Sequence, residues 1–169
     1  MSLARAVDIS SQSTPVLQTG HRRIAAYDPG ENTGWAWCDY EEGLISNLVY
    51  GWGLYWRVAI ELYNEMRSTT PFDVVIYETW RLRKDKARHF YGSPIIPIQA
   101  VGLTKAAVLF TSPKVPLIGQ EPAIKPVVDR HMAGFGAHNY LPPADGAEHA
   151  RDAVRHLYHY LIQKEGYRP

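Results

Sequence analysis

The chain has 169 residues, of which 46% are hydrophobic and 21% charged, and its formal net charge is +1. These values are ordinary for one folded globular domain, and no apolar run approaches the roughly 18 residues that a membrane-spanning helix needs. The single cysteine, Cys38, excludes an intramolecular disulfide and a zinc site built from several cysteines, which favours a reducing, cytoplasmic location.

The N-terminal half predicts a tail, a three-stranded meander and a helix. Residues 1–21 lack the apolar core of a secretory signal and are predicted to be a flexible tail, with one domain over 22–165. Strands are predicted over residues 24–28, 34–40 and 48–52, with a hairpin turn at 41–43. Apolar residues at helical spacing predict a helix over 56–67, which Pro71 ends.

The C-terminal half alternates between helices and strands. Residues 73–78 are apolar on both faces, which is typical of a buried parallel strand. Further elements are predicted as helices over 98–110, 121–132 and 147–163, a short strand over 115–118 and a loop over 134–146. Together the elements predict an α/β fold with a five-stranded mixed sheet, three antiparallel strands and then two parallel ones, flanked by helices.

Two of the predicted strands end on a carboxylate. Asp28 ends the first strand and is followed by the turn-forming pair Pro29-Gly30, and Glu78 ends the strand over 73–78. A carboxylate in this position is held rigidly by the sheet yet is open to solvent, as a metal-dependent enzyme requires. The alternative is that Asp28 only accepts hydrogen bonds from amides of the turn, as aspartate often does.

The last predicted helix carries a polar stripe beside its apolar one. Helical spacing places four polar residues along one side of the helix as the polar stripe, namely His149, Asp152, His156 and His159. The apolar stripe comprises Ala150, Ala153, Val154, Leu157, Tyr158 and Leu161. Imidazoles beside a carboxylate suit a metal or a phosphate, although a histidine-rich helix face exposed to solvent would give the same pattern.

The segment from Arg81 to Tyr91 concentrates positive charge that the net charge hides. It holds five lysine and arginine residues against one aspartate. A phosphate backbone senses charge within roughly 10 Å, so this segment is a candidate DNA contact, and the alternative is a solvated basic loop. Aromatic residues Trp80, Phe90 and Tyr91 interleave with it, a combination that can grip backbone and stack exposed bases.

The sequence resembles the RuvC family of Holliday-junction resolvases, in the RNase H-like (retroviral-integrase-like) superfamily, and especially the short versions found in phages. The matching pieces are Asp28-Pro29-Gly30 with Thr33-Gly34, then Glu78, then His149-Ala150-Arg151-Asp152-Ala153, over about residues 22–161. The resemblance implies an RNase H-like fold and a homodimer that cleaves Holliday junctions or other branched DNA, such as Y-forks or flaps. We expect the dimer surface on the helix over 98–110.

The resemblance also implies the site residues. Asp28, Glu78 and Asp152 are expected to hold two divalent ions, Mg²⁺ with Mn²⁺ accepted, because phosphodiester hydrolysis by two metals uses oxygen ligands. His149 stands where many members have an aspartate, and it is expected to be a ligand, a general base or a proton shuttle. The expected DNA-binding residues are Trp80, Arg81, Arg83, Lys84, Lys86, Arg88, Phe90, Tyr91 and Lys125.

Three alternative functions differ from this one in the substrate or in the class of protein. An RNA-processing nuclease of the related YqgF type would keep the fold and metals. An actin-like nucleotide-binding domain also opens with Asp-x-Gly after a strand, but it needs a second phosphate loop and roughly twice this length. A catalytically inactive binding module is disfavoured, because like charges brought together without a cation raise one another's pKa and destabilise the fold.

Overall fold

The computed structural model describes residues 20–80, 95–143 and 148–169. The strands are β1 (Arg22–Asp28), β2 (Asn32–Glu41), β3 (Leu44–Leu54), β4 (Val74–Glu78) and β5 (Leu117–Gln120). The helices are α1 (Tyr55–Met66), α2 (Ile96–Thr111), α3 (Lys125–Gly134) and α4 (Glu148–Lys164), and a short 3-10 helix (Pro122–Ile124) precedes α3. None of the helices in these ranges is long and apolar enough to cross a membrane.

The strands form one sheet in the order β3-β2-β1-β4-β5. β1, β2 and β3 are antiparallel neighbours, whereas β4 lies parallel to both β1 and β5. The β2–β3 hairpin closes through Glu42 and Gly43, whose φ angles of 49° and 88° are both left-handed. Two left-handed residues match the twist of a tight hairpin. The predicted five-stranded mixed α/β sheet is confirmed.

The two faces of the sheet bury separate cores. One face packs against α3 and α4, and the other packs against α1 and α2. Ile24 and Ala26 of β1 enter the first core, while Ala25 and Tyr27 enter the second, as the two-residue period of a central strand requires. Every residue of the predicted apolar stripe of α4 is buried, so α4 lies across the middle of its face.

A close approach between β2 and α4 fixes the position of the helix start. A Cβ atom on Gly34 would lie 1.9 Å from the carbonyl oxygen of His149, so only glycine allows this contact. Thr33 closes the preceding turn, because its hydroxyl donates to the carbonyl of Gly30 at 2.9 Å. The Thr33-Gly34 pair therefore sets α4 against the end of β1, where Asp28 lies.

Several element boundaries differ from those predicted. β3 is longer than the predicted strand over 48–52, because residues 44–46 also pair with β2 beyond a register shift after Trp37. β5 begins at Leu117, two residues later than predicted, because Pro116 has no N–H to donate and contributes only its carbonyl, which accepts from Val75 at 3.0 Å. The predicted helix over 121–132 is a 3-10 turn followed by α3, which continues to Gly134.

Candidate metal centre

Three carboxylates from three elements meet at one edge of the sheet. Tyr27 of β1 pairs with Tyr77 of the parallel strand β4, which brings the following residues, Asp28 and Glu78, side by side. The first turns of α4 add His149 and Asp152. The side chains of Asp28, Glu78 and Asp152 are only 8%, 15% and 16% exposed. This edge therefore concentrates negative charge in a largely enclosed position.

The ammonium group of Lys125 lies among these carboxylates. Its Nζ is 2.7 Å from Oε2 of Glu78, 2.6 Å from Oδ2 of Asp152 and 3.8 Å from Oδ1 of Asp28. Burial alone would lower the pKa of Lys125, but the charge of Asp28 and the hydrogen bonds to Asp152 and Glu78 raise it. The oxygens thus converge on one positive charge, and they are the donors that Mg²⁺ prefers, so the residues present fit a divalent ion.

Asp28 and His149 form a hydrogen-bonded pair. Nδ1 of His149 lies 2.7 Å from Oδ2 of Asp28. Burial raises the pKa of Asp28, and the hydrogen bond from His149 offsets this only in part. The pKa of His149 is raised in turn, mainly by the hydrogen bond to Asp28. Both shifts favour protonation, so this pair retains a shared proton to higher pH than either group would alone.

Glu78 is held by a second imidazole. Nε2 of His156 lies 2.8 Å from Oε2 of Glu78, and Nδ1 lies 2.8 Å from Oε1 of Gln120. Burial would raise the pKa of Glu78, but hydrogen bonds with His156 and Lys125 outweigh it and lower the pKa. His156 is fully buried, so a solvent-exposed histidine face does not describe this part of α4.

Asp152 is fixed from both of its oxygens. Oδ1 accepts from Nη1 of Arg155 at 2.6 Å, while Oδ2 pairs with Lys125. Arg155 is itself held by Asp129, whose Oδ1 accepts from Nε at 3.0 Å and also from the hydroxyl of Tyr140. The chain of contacts from α3 to α4 therefore orients Asp152 toward the site.

The structure brings all four predicted metal ligands together and adds two residues that the sequence did not assign to the site. His156 belonged to the predicted polar stripe, seven residues after His149, and this spacing was the only sequence feature that pointed to a role in the site. No sequence feature pointed to Gln120. The last residue of the stripe, His159, has a buried Nδ1 with no hydrogen-bond partner among the described residues.

The predicted DNA-binding residues fall into three groups. Lys125 lies within the carboxylate cluster, and its predicted DNA contact stays a prediction. Trp80 is half-buried, two residues beyond Glu78. The others lie outside the described residues, namely Arg81, Arg83, Lys84, Lys86, Arg88, Phe90 and Tyr91.

No family model matches the sequence, and no curated protein matches it. The chain is similar to the crystal structure of the fowlpox virus Holliday junction resolvase, with 16% sequence identity and a TM-score of 0.49, over 85% of this chain and 98% of that one.

Proposed function

We propose that this protein is a metal-dependent, structure-specific DNA endonuclease that resolves Holliday junctions or other branched DNA. The observation that carries the proposal is the convergence of Asp28, Glu78 and Asp152 on the ammonium of Lys125 at the edge of the sheet. The resemblance of the motifs around these residues to those of junction resolvases supplies the substrate class. Cleavage of a phosphodiester bond is proposed because the carboxylates of the site are hard oxygen donors, which suit the ions that hydrolyse phosphate esters.

The residues of the candidate site would have different roles in hydrolysis. When bound, two divalent ions would activate water and stabilise the leaving 3′-oxygen. Asp28, Glu78, Asp152 and His149 would hold these ions, and Asp28 stands on the central strand of the sheet. His149, which is hydrogen-bonded to Asp28, would supply an acid–base group beside the metal ligands. Burial of the carboxylates excludes bulk water and strengthens their hold on a cation.

The direct test is cleavage of DNAs that differ only in branching. Labelled four-way junctions, Y-forks and linear duplexes of the same sequences are incubated with the protein and Mg²⁺ or Mn²⁺, then separated on a denaturing gel. We expect cuts near the branch point, none in the linear duplex and none in EDTA. Equal cleavage of all DNAs would contradict structure specificity. Cleavage of RNA alone would favour the RNA-processing alternative, and no metal-dependent cleavage of any substrate would overturn the proposal.

The basic segment after Glu78 is proposed to hold the DNA backbone. Replacing Arg83, Lys84 and Lys86 together with glutamine should weaken binding to all DNA sequences alike, because phosphate contacts carry no sequence information. Each lost contact should reduce the slope of log affinity against log salt by about 0.9. Fluorescence anisotropy with a four-way junction at several salt concentrations measures both quantities.

A control with the same loss of charge separates local contact from net charge. Arg67, Lys114 and Lys164 are exposed and lie outside this segment of the sequence, and their triple glutamine variant should bind almost as the wild type does. Equal weakening in both triple variants would mean that net charge, and not the segment after Glu78, attracts the DNA.

A homodimer is proposed through the outer face of α1 and α2, which places two active sites on one junction. α2 has one charged residue, Lys105, in 16 residues, and Phe110 is 85% exposed. It lines an apolar groove with Trp56, Ile60, Tyr63 and Leu103.

Sedimentation velocity should show a dimer that Phe110→Glu converts to a monomer. Leu44→Glu changes another exposed residue, at the start of β3 and outside the groove, and should leave the dimer intact. A monomeric wild type would contradict the proposal.

A further inference from the structure

We propose that His156 is an imidazole ligand of the candidate metal centre, bound through Nε2 on the side of Glu78. This inference rests on the proposed metal-dependent function and deepens it, because the resemblance to junction resolvases implies His149, and not His156, as the imidazole of the site. His156 lies seven residues further along α4, two turns deeper into the protein, and its side chain is fully buried.

The proposed ligand atoms of Asp28, Glu78 and His156 lie close together in the structure. One carboxylate oxygen each from Asp28 and Glu78 and one ring nitrogen of His156 lie within 4.8 Å of one another. The three residues come from β1, β4 and α4, so the sheet and the helix fix their spacing independently of any ion. Two carboxylate oxygens with one imidazole form a mixed donor set, which accepts Mn²⁺ and other first-row ions more readily than oxygen donors alone.

The second ring nitrogen has the partner that a metal-bound histidine needs. Nδ1 lies 2.8 Å from Oε1 of Gln120, an amide oxygen, which accepts a hydrogen bond from Nδ1–H. With the proton on Nδ1, Nε2 would offer its lone pair to an ion bound beside Glu78, in place of the hydrogen bond from Nε2–H to Oε2 of Glu78. Histidines that bind metals usually donate their other N–H to an oxygen in this way, which fixes both the tautomer and the ring orientation.

Gln120 is held rigidly enough to fix the ring. It is 8% exposed and pairs with Glu78 across the parallel β4–β5 ladder. Its backbone carbonyl accepts from the amide of Thr79 at 2.7 Å, which locks the ends of the two strands together. Glu78 and the acceptor for His156 are therefore neighbouring residues on adjacent strands, and the imidazole spans the gap between them.

The charge around Glu78 supports a cation at this point. Oε2 of Glu78 lies 2.8 Å from Nε2 of His156 and 2.7 Å from the ammonium of Lys125. The 2.8 Å contact is a hydrogen bond when Nε2 carries a proton, and an ion held by Oε2 and Nε2 would take the place of that proton. The competing reading is that Nε2–H donates to Glu78, which would make His156 a positioning residue and not a ligand.

Pulsed EPR of bound Mn²⁺ separates these two readings, because a coordinated imidazole couples its ¹⁴N nucleus to the electron spin. The full-length protein is loaded with Mn²⁺ alone, in a His149→Asp background that removes the other candidate imidazole. We expect ¹⁴N coupling in this background, its loss when His156→Gln is added, and its retention when His159→Gln is added instead. Binding titrations should show Mn²⁺ affinity weaker by roughly tenfold or more with His156→Gln and unchanged with His159→Gln.

Two further samples keep the inference testable if His156→Gln fails to fold. The His149→Asp protein labelled with ¹⁵N-histidine should exchange the ¹⁴N pattern for a ¹⁵N pattern without any change at His156. Gln120→Leu should keep the nitrogen coupling but weaken Mn²⁺ binding. Tight Mn²⁺ binding without nitrogen coupling in the His149→Asp background would overturn the ligand role alone. Absence of Mn²⁺ binding in the wild type, together with uncut branched DNA, would overturn the proposed function itself.

Discussion

Asp28→Asn is expected to reduce cleavage of a four-way junction by roughly 10³-fold or more while leaving junction binding nearly intact. The substitution keeps the shape of the side chain but removes the charge that would hold the ions, and those ions supply several kcal/mol of transition-state stabilisation. Glu78→Gln and Asp152→Asn should behave in the same way, because their oxygens complete the same cluster. Single-turnover cleavage gives the rate, and fluorescence anisotropy in Ca²⁺ or EDTA gives the affinity.

A matched substitution away from the site tests whether the loss is specific. Glu61 is exposed on α1, and Glu61→Gln removes one carboxylate charge without touching the cluster, so its cleavage rate should equal that of the wild type. A carboxylate variant that keeps near-wild-type cleavage would remove that residue from the site. Loss of cleavage together with loss of DNA binding would indicate that the variant is misfolded or that the residue binds DNA directly.

The sequence predicted the carboxylate positions because each follows from local features. β1 and β4 are recognisable from apolar runs that end on Asp28 and Glu78, and parallel neighbours bring such ends together. The polar stripe of α4 follows from helical spacing, which placed His149 and Asp152 on one face. These patterns need no knowledge of distant contacts, and the structure brings all four residues to one edge of the sheet.

The contacts that hold the carboxylates depend on long-range packing and could not be predicted in this way. Lys125 and Asp152 are 27 residues apart, and their contact requires the placement of α3 against α4. The contact between Gln120 and His156 requires both the register of β5 and the rotation of α4. A shift of two residues in the predicted start of β5 was enough to hide it, since residue 120 lay beyond the predicted strand.

Lys125→Met is expected to destabilise the metal-free protein by about 3–5 kcal/mol, the usual cost of removing one partner of a buried ion pair. The Lys125 side chain is only 22% exposed, and its ammonium lies 2.7 Å from Glu78 and 2.6 Å from Asp152, with Asp28 at 3.8 Å. Without it, three enclosed carboxylates repel one another. Urea unfolding in EDTA, followed by circular dichroism, measures the loss relative to the wild type.

Added Mn²⁺ should increase the stability of Lys125→Met more than it increases the stability of the wild type. In the variant a bound ion would replace the missing positive charge, and it would not compete with an ammonium group for the same oxygens. Ligand linkage then predicts a free energy of unfolding that rises with the logarithm of the Mn²⁺ concentration once binding is saturated. Lys114→Met, on an exposed loop, serves as the control and should match the wild type with and without metal. Equal stability of Lys125→Met and wild type in EDTA would show that the ammonium does not neutralise the cluster. An equal response of both proteins to Mn²⁺ would show that the ion and the ammonium bind at separate positions.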